Sequence, residues 1–195
     1  MRTPFSSPQA RIAAGTLGMR LFLLSLGILF GATVIGYISI RLLAIHEPLD
    51  LPPLPGGLWL STVVLIASSV TIQRAVVAAG QGRTRRMRAG LASTTALGVT
   101  FLIIQATCWL SWAEPMRTSL QQSEQRFLLT AFYVLTGMHA AHVIGGLVPL
   151  VVITRRAFTG RGSDPPHAGV IYMAMYWHFL GAVWLVLFVT LLIGT

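Results

Sequence analysis

Long apolar stretches alternate with short clusters of charge along the whole chain. Five of these stretches contain no charged residue, and each is at least as long as the roughly 20 apolar residues that a helix needs to cross a bilayer core. They lie between Arg20 and Arg41, between Asp50 and Arg74, between Arg88 and Glu114, between Arg126 and Arg155, and over residues 165–195. None shows the alternation with period two that is typical of membrane strands. The pattern therefore predicts five transmembrane helices.

The predicted architecture is an all-α, polytopic membrane protein built as a five-transmembrane-helix bundle. We expect one membrane domain over residues 17–195, with spans at about 17–43, 57–79, 89–112, 127–153 and 167–193. Residues 1–16 contain several Ser, Pro and Arg residues and are expected to form a disordered cytoplasmic tail. The first span is longer than the apolar core of a signal peptide, so we interpret it as a retained helix.

Composition and charge exclude a soluble domain and predict an orientation. Hydrophobic residues make up 54% of the chain and charged residues only 10%, against about 25% charged residues in soluble domains. All 14 basic residues are arginine. A cytoplasmic N-terminus places eleven of them on the inner side, and leaves Arg41, Arg117 and Arg126 outside. The C-terminus is then periplasmic or extracellular. The arginine-rich segment 81–88 is interpreted as a topology anchor, and no nucleic-acid partner is expected.

The polar residues inside the predicted spans are mainly histidines. His139 and His142 share one face of the fourth span, and His178 lies at a similar depth in the fifth span. His167 precedes His178 by about three turns, and Gln105 lies in the middle of the third span. Neutral imidazoles are common metal or haem ligands. They also bond to neighbouring helices or lipid headgroups, and a metal site here would have no carboxylate to orient its ligands.

Small residues recur along the fourth span, where Gly137, Ala141 and Gly145 are four residues apart. Such a stripe allows another helix to approach closely, either within the chain or from a second subunit. The single cysteine, Cys108, excludes an internal disulfide and a cysteine-based zinc site. We expect it to be a small buried apolar residue.

Two runs near the C-terminus resemble a known family. Residues 132–146 (FYVLTGMHAAHVIGG) resemble the penultimate helix of haem-copper oxidase subunit III, with its T-G-x-H-x-x-H-V-x-x-G pattern. Residues 167–184 (HAGVIYMAMYWHFLGAVW) resemble the last helix of that family, with its H-x-G, Y-W-H-F and following Trp. Segments 18–25 and 65–71 are similar to earlier helices of the family. The matching positions, which we take as candidates for packing or lipid contact, are Gln105, Thr136, Gly137, His139, His142, Gly146, His167, Tyr176, Trp177, His178 and Trp184.

The resemblance covers residues 18–193 and fits the short five-helix form of subunit III found in bacteria. It implies a multi-pass protein of the bacterial plasma membrane that is a non-catalytic subunit of a terminal respiratory oxidase. The expected partners are the catalytic subunit I, subunit II and membrane phospholipids. Haem and copper are expected in the partner subunits and not in this chain. The implied role is to pack against subunit I and support stability and proton uptake.

Four positions depart from the family pattern. Acidic residues are usual in the family where this chain has Leu26, Cys108, Ile171 and Gly181. These replacements motivate a first alternative, an accessory or assembly protein of nitric oxide reductase or another respiratory enzyme. The histidines motivate a second alternative, an independent membrane protein that binds a metal or haem.

Overall fold

The structure is a computed structural model, and it describes residues 8–43, 56–119, 125–160 and 167–194. These residues form five α-helices and no strand. The helices are α1 (Pro8–Leu43), α2 (Gly57–Gly80), α3 (Thr84–Ser119), α4 (Gln125–Thr159) and α5 (His167–Gly194). All five are long and apolar enough to cross a membrane. The prediction of an all-α, five-helix membrane protein is therefore confirmed, and the orientation of the termini stays a prediction.

The first helix begins earlier than the sequence pattern indicates. We expected residues 8–16 in a disordered tail, whereas the structure places them in α1. Pro8 is favourable at the start of a helix because the N–H that it lacks has no partner within the first turn. The alanines that follow it are strong helix formers. Residues 1–7 lie outside the described residues.

The helices are unequally connected. Among the described residues, α5 neighbours α1, α2 and α4, whereas α1 neighbours only α4 and α5. Within the described ranges, α1 and α2 both flank α5 without contacting each other. The arrangement gives α5 a central position in the bundle.

A tight hairpin joins α2 to α3. Its turn contains Gly82 at φ +68°, a backbone conformation that glycine adopts without steric cost. The Gln81 and Gly82 N–H groups donate to carbonyl oxygens in the last turn of α2. Farther along the hairpin, the Thr71 and Thr94 hydroxyls are 2.8 Å apart and hydrogen-bonded. The short turn therefore makes α2 and α3 antiparallel neighbours along their length.

The bundle interior is filled by aromatic and aliphatic side chains. The largest fully buried side chains include Trp177, Trp184, Phe101, Ile72 and Leu91, which belong to one continuous cluster. Large apolar side chains on the outer surface are exposed in this single chain. An apolar exterior is expected of helices that face lipid or other membrane subunits.

Candidate functional site

Two motif tryptophans attach α5 to α2. Trp177 and Trp184 are two turns apart, and each is only 1% exposed. The indole N–H of Trp177 donates to Ser68 Oγ at 2.9 Å, and that of Trp184 donates to Thr62 Oγ1 at 3.0 Å. Both acceptor hydroxyls donate their own hydrogens to carbonyl oxygens of α2. A buried indole N–H needs an acceptor, so these bonds fix the position of α5 along α2.

Gln105 makes an equivalent connection between α3 and α2. Its side chain is 5% exposed, and Nε2 donates to Ser61 Oγ at 2.8 Å. Ser61 in turn donates to a carbonyl oxygen of α2. Interhelical hydrogen bonds of this kind hold membrane helices together where the hydrophobic effect gives no preference for helix over lipid. The hydroxyl face of α2 therefore receives polar contacts from both α3 and α5.

His139 of α4 lies in an aromatic pocket. Its side chain is 1% exposed, and its ring centroid lies 5.4 Å from Trp184, 6.3 Å from Phe101 and 6.1 Å from Phe30. Neither ring nitrogen has a hydrogen-bond partner within the part of the chain that the structure describes. One turn earlier, the buried Thr136 hydroxyl donates to a carbonyl oxygen of its own helix. This end of the motif is packed by aromatic contacts.

Tyr176, His142 and Gly146 form a second contact between α4 and α5. The Tyr176 hydroxyl donates to the His142 carbonyl oxygen at 2.9 Å, and His142 Nδ1 lies 2.7 Å from the Met138 carbonyl oxygen. A Cβ atom at Gly146 would lie 2.5 Å from Tyr176 Cε1. The glycine therefore makes room for the tyrosine ring. Gly137 is less restricted, since its nearest neighbour would be the Trp109 ring at 3.8 Å.

His178 points to a different part of the bundle from His139. Its Nε2 lies 3.2 Å from Gln73 Oε1 on α2. His167, the other candidate histidine of this helix, is the first residue of α5. Among the residues that the structure describes, no three His, Cys, Asp or Glu side chains come together as metal ligands. The histidines that share a similar depth in the sequence pattern thus do not form one cluster.

Three of the four positions where the family usually carries an acid lie inside the bundle. Leu26 and Cys108 are buried. Gly181 is also buried, and a Cβ atom added there would lie 3.4 Å from Ser69 Oγ. Ile171 is exposed. Apolar or small residues therefore occupy the interior positions, and the polar contacts of the interior come from hydroxyl, amide and indole groups.

The hydroxyl acceptors on α2 were not predicted from the sequence. A signal for them exists in the spacing, because Ser61 and Ser68 are seven residues apart, as are Trp177 and Trp184. Seven residues are two helical turns, so each pair lies on one face of its helix. The two serines serve different helices, since Ser61 accepts from Gln105 of α3 and Ser68 accepts from Trp177 of α5. The spacing therefore indicates a polar face of α2 and not the partner of each residue.

The fold and these contacts define a polytopic helical membrane protein whose motif residues join helices to one another. A sequence profile of the family described as Cytochrome c oxidase subunit III matches residues 11–194. The chain belongs to the cytochrome c oxidase subunit III family, and the resemblance to subunit III of haem-copper oxidases is confirmed.

Individual relatives agree with this assignment. The chain is 34% identical over 185 residues to cytochrome c oxidase subunit 3 of Thermostichus vulcanus, covering 92% of this chain and 87% of that protein. It is 35% identical over 130 residues to the Corynebacterium diphtheriae protein of the same name, covering 67% and 62%. It is 34% identical over 161 residues to the Oryctolagus cuniculus protein, covering 75% and 59%. The matches thus span less than two thirds of the length of the last two proteins.

Proposed function

We propose that this chain is subunit III of a terminal haem-copper respiratory oxidase in a bacterial plasma membrane. In this proposal oxygen reduction and proton translocation take place on partner subunits, which hold the haem and copper. The observation that carries the proposal is the role of two family-motif residues: Trp177 and Trp184 both donate hydrogen bonds from α5 to α2. Residues committed to helix packing in this way suit a structural subunit.

The proposed mechanism is support of the catalytic subunit. The bundle is held internally by directional hydrogen bonds, and its outer surface is apolar. It packs against subunit I, in a complex that also contains subunit II, and binds phospholipids. Leu26, Cys108 and Gly181 replace interior acids of the family pattern. In this proposal the chain supports proton uptake by positioning subunit I and lipid. It does not do so through carboxylates at these three positions.

Co-purification tests the proposal directly. We expect an affinity tag on this chain to recover, from native membranes in mild detergent, a large haem-containing subunit and a copper-binding subunit. An unrelated tagged membrane protein from the same cells is the control for adventitious recovery. Recovery of a stable, homogeneous chain without other subunits would refute the proposal.

The replaced acids favour one second candidate, an accessory protein of nitric oxide reductase or another respiratory enzyme. Deletion of the gene separates the two functions. We expect impaired oxygen respiration and normal nitric oxide reduction. The opposite result, with intact oxygen respiration and impaired nitric oxide reduction, would favour the second candidate.

A further inference from the structure

A groove of about 880 Å³ lies along the α2–α3 hairpin. Three arginines line it: Arg74 from α2, Arg83 from the turn and Arg86 from the first turn of α3. Its remaining wall combines exposed apolar side chains of α2 with the polar side chains of Gln73 and His178. We refer to it below as the arginine groove.

The arginine groove has an excess of positive charge that its own hairpin does not neutralise. The sequence contains no acidic residue between Asp50 and Glu114, so neither helix of the hairpin supplies a counter-ion in this region. Guanidinium groups that share one groove repel one another, and an anion between them lowers the electrostatic energy. The planar guanidinium also matches the geometry of phosphate oxygens. The charge therefore favours a phosphate group as the occupant.

The depth of each side chain within the membrane indicates which chemical groups the occupant has besides phosphate. Arg83 and Arg86 lie at the membrane edge of the hairpin, and Arg74 lies six residues before the end of α2, about 9 Å along the helix. An arginine at this depth reaches the headgroup level by extending its aliphatic stem. Beyond it, Val70 and Ile66 continue the wall of the groove toward the middle of the span. The charged end of the groove thus passes into an apolar end.

Between these ends lies the Gln73–His178 pair. His178 reaches the groove from α5, and its Nε2 lies 3.2 Å from Gln73 Oε1. In the neutral tautomer of His178 that carries its hydrogen on Nε2, the imidazole donates to the glutamine oxygen. The Gln73 amide then keeps two N–H donors for an acceptor in the groove. A hydrogen-bond donor just below the charged groups suits an ester carbonyl.

We propose that the arginine groove binds one anionic phospholipid. Its phosphate is held by Arg74, Arg83 and Arg86, an ester carbonyl accepts a hydrogen bond from Gln73, and an acyl chain lies against Val70 and Ile66. A free phosphate ion would use only the first of these three regions. The inference deepens the proposed function, since it names one lipid site and its preference for negative charge, and it rests on that function for the membrane setting of the chain.

Photolabelling of the wild-type complex tests the site without any substitution. The purified complex is reconstituted in phosphatidylcholine nanodiscs that contain a phosphatidylglycerol analogue with a diazirine in its acyl chain. We expect labelled peptides from the part of α2 that carries Ile66 and Val70, and competition by unlabelled phosphatidylglycerol but not by added phosphatidylcholine. Labelling spread evenly over the outer helices, or equal competition by both lipids, would refute the proposal. Cross-linking of this segment to another protein subunit would also refute it, because a protein would then occupy the groove.

Substitutions with a matched control test the charge. Arg74→Gln, Arg83→Gln and Arg86→Gln are compared with Arg155→Gln and Arg156→Gln, which alter exposed arginines outside the groove. An arginine near an anionic lipid surface contributes about 1 kcal/mol, so each groove substitution should weaken phosphatidylglycerol retention roughly fivefold. Equal losses in the control variants would reduce the site to a general basic surface and overturn the proposal.

The lipid site and the proposed function can be refuted separately. If subunits I and II co-purify but the groove is not labelled, the lipid site is wrong and the proposed function stands. If no partner subunit co-purifies, the proposed function is wrong whatever lipid is bound. If the groove variants do not assemble, the labelling of the wild-type complex still decides the lipid proposal.

Discussion

Replacing Gly90 with alanine tests the close contact between α2 and α3. A Cβ atom at Gly90 would lie 2.9 Å from Ala75 Cβ and 3.0 Å from the Thr71 carbonyl oxygen. Both neighbours belong to the backbone or are attached directly to it, so no side-chain rotation relieves the contact. The two helices must instead separate by about half an ångström. The matched control is Gly36→Ala in α1, where nothing within 4 Å would meet the new methyl group.

The expected magnitude follows from two opposing terms. Overpacking of a well-filled interface costs about 1–3 kcal/mol. Replacing glycine by alanine inside a helix raises the stability by up to about 1 kcal/mol. Since neither neighbour of Gly90 can rotate away, the overpacking cost falls in the upper half of that range, about 2–3 kcal/mol. Gly90→Ala should therefore lower the free energy of unfolding by about 1–2 kcal/mol net, whereas Gly36→Ala should leave it unchanged or raise it. For a chain of this size, 1 kcal/mol corresponds to a shift of roughly 2–4 °C in the thermal midpoint.

Thiol labelling measures this midpoint, because Cys108 is buried and is the only cysteine of the chain. The purified complex is heated in steps and pulsed with a maleimide, and the labelled fraction of this subunit is read after separation on a denaturing gel. We expect the labelling midpoint to fall by several degrees for Gly90→Ala relative to Gly36→Ala. Equal midpoints for the two variants would refute the inference that backbone contact at Gly90 determines the spacing of the helices.

Three further predictions use the same labelling midpoint. Thr62→Val removes the acceptor of the Trp184 indole N–H and should lower the free energy of unfolding by about 0.6–1.7 kcal/mol. Thr100→Val, where the lost hydroxyl bonds to the Ala96 carbonyl oxygen of its own helix, should have no effect; equal midpoints would show that the indole bond contributes nothing. His139→Leu replaces a buried imidazole, whose nitrogens have no hydrogen-bond partner among the described residues, by an apolar side chain. The midpoint should therefore not fall and the haem absorbance of the complex should not change; a shifted absorbance would restore the ligand hypothesis. At Gly145, no atom of the described residues lies within 4 Å of an added Cβ, so for Gly145→Leu the midpoint should stay the same while recovery of subunit I decreases, and full recovery would show that this face contacts lipid.

The membrane spans could be predicted because charge is excluded from a bilayer interior. The positions of Arg20, Arg41, Arg74 and Arg88 are enough to separate the first three helices. The beginning of α1 could not be predicted in this way, since Pro8 and the residues after it mix polar and apolar types. Helix propensity and not hydrophobicity sets that boundary, and the gaps between charges do not report it.

Contacts between helices were harder to predict, because depth along a span does not determine the direction in which a side chain points. The sequence places His139 and His178 at similar depth, yet His139 packs against Trp184 and His178 contacts Gln73. A serine or threonine hydroxyl inside a helix usually bonds to a carbonyl oxygen of its own helix. Thr62 makes that bond and also accepts from Trp184, so its role between helices becomes apparent only when both helices are placed.

The connectivity of α1 has a consequence for the biosynthesis of the chain. This helix precedes the other four, so it enters the membrane first, but its neighbours α4 and α5 are the last to be made. The α2–α3 hairpin closes between residues that are near in sequence and can form while synthesis continues. Until α5 leaves the ribosome, α1 has no complete docking surface and its long apolar faces remain available to insertion chaperones or to membrane proteases. Assembly of the bundle is therefore completed from its C-terminal helix, and a chain cut short before α5 would present α1 to quality control as an orphan helix.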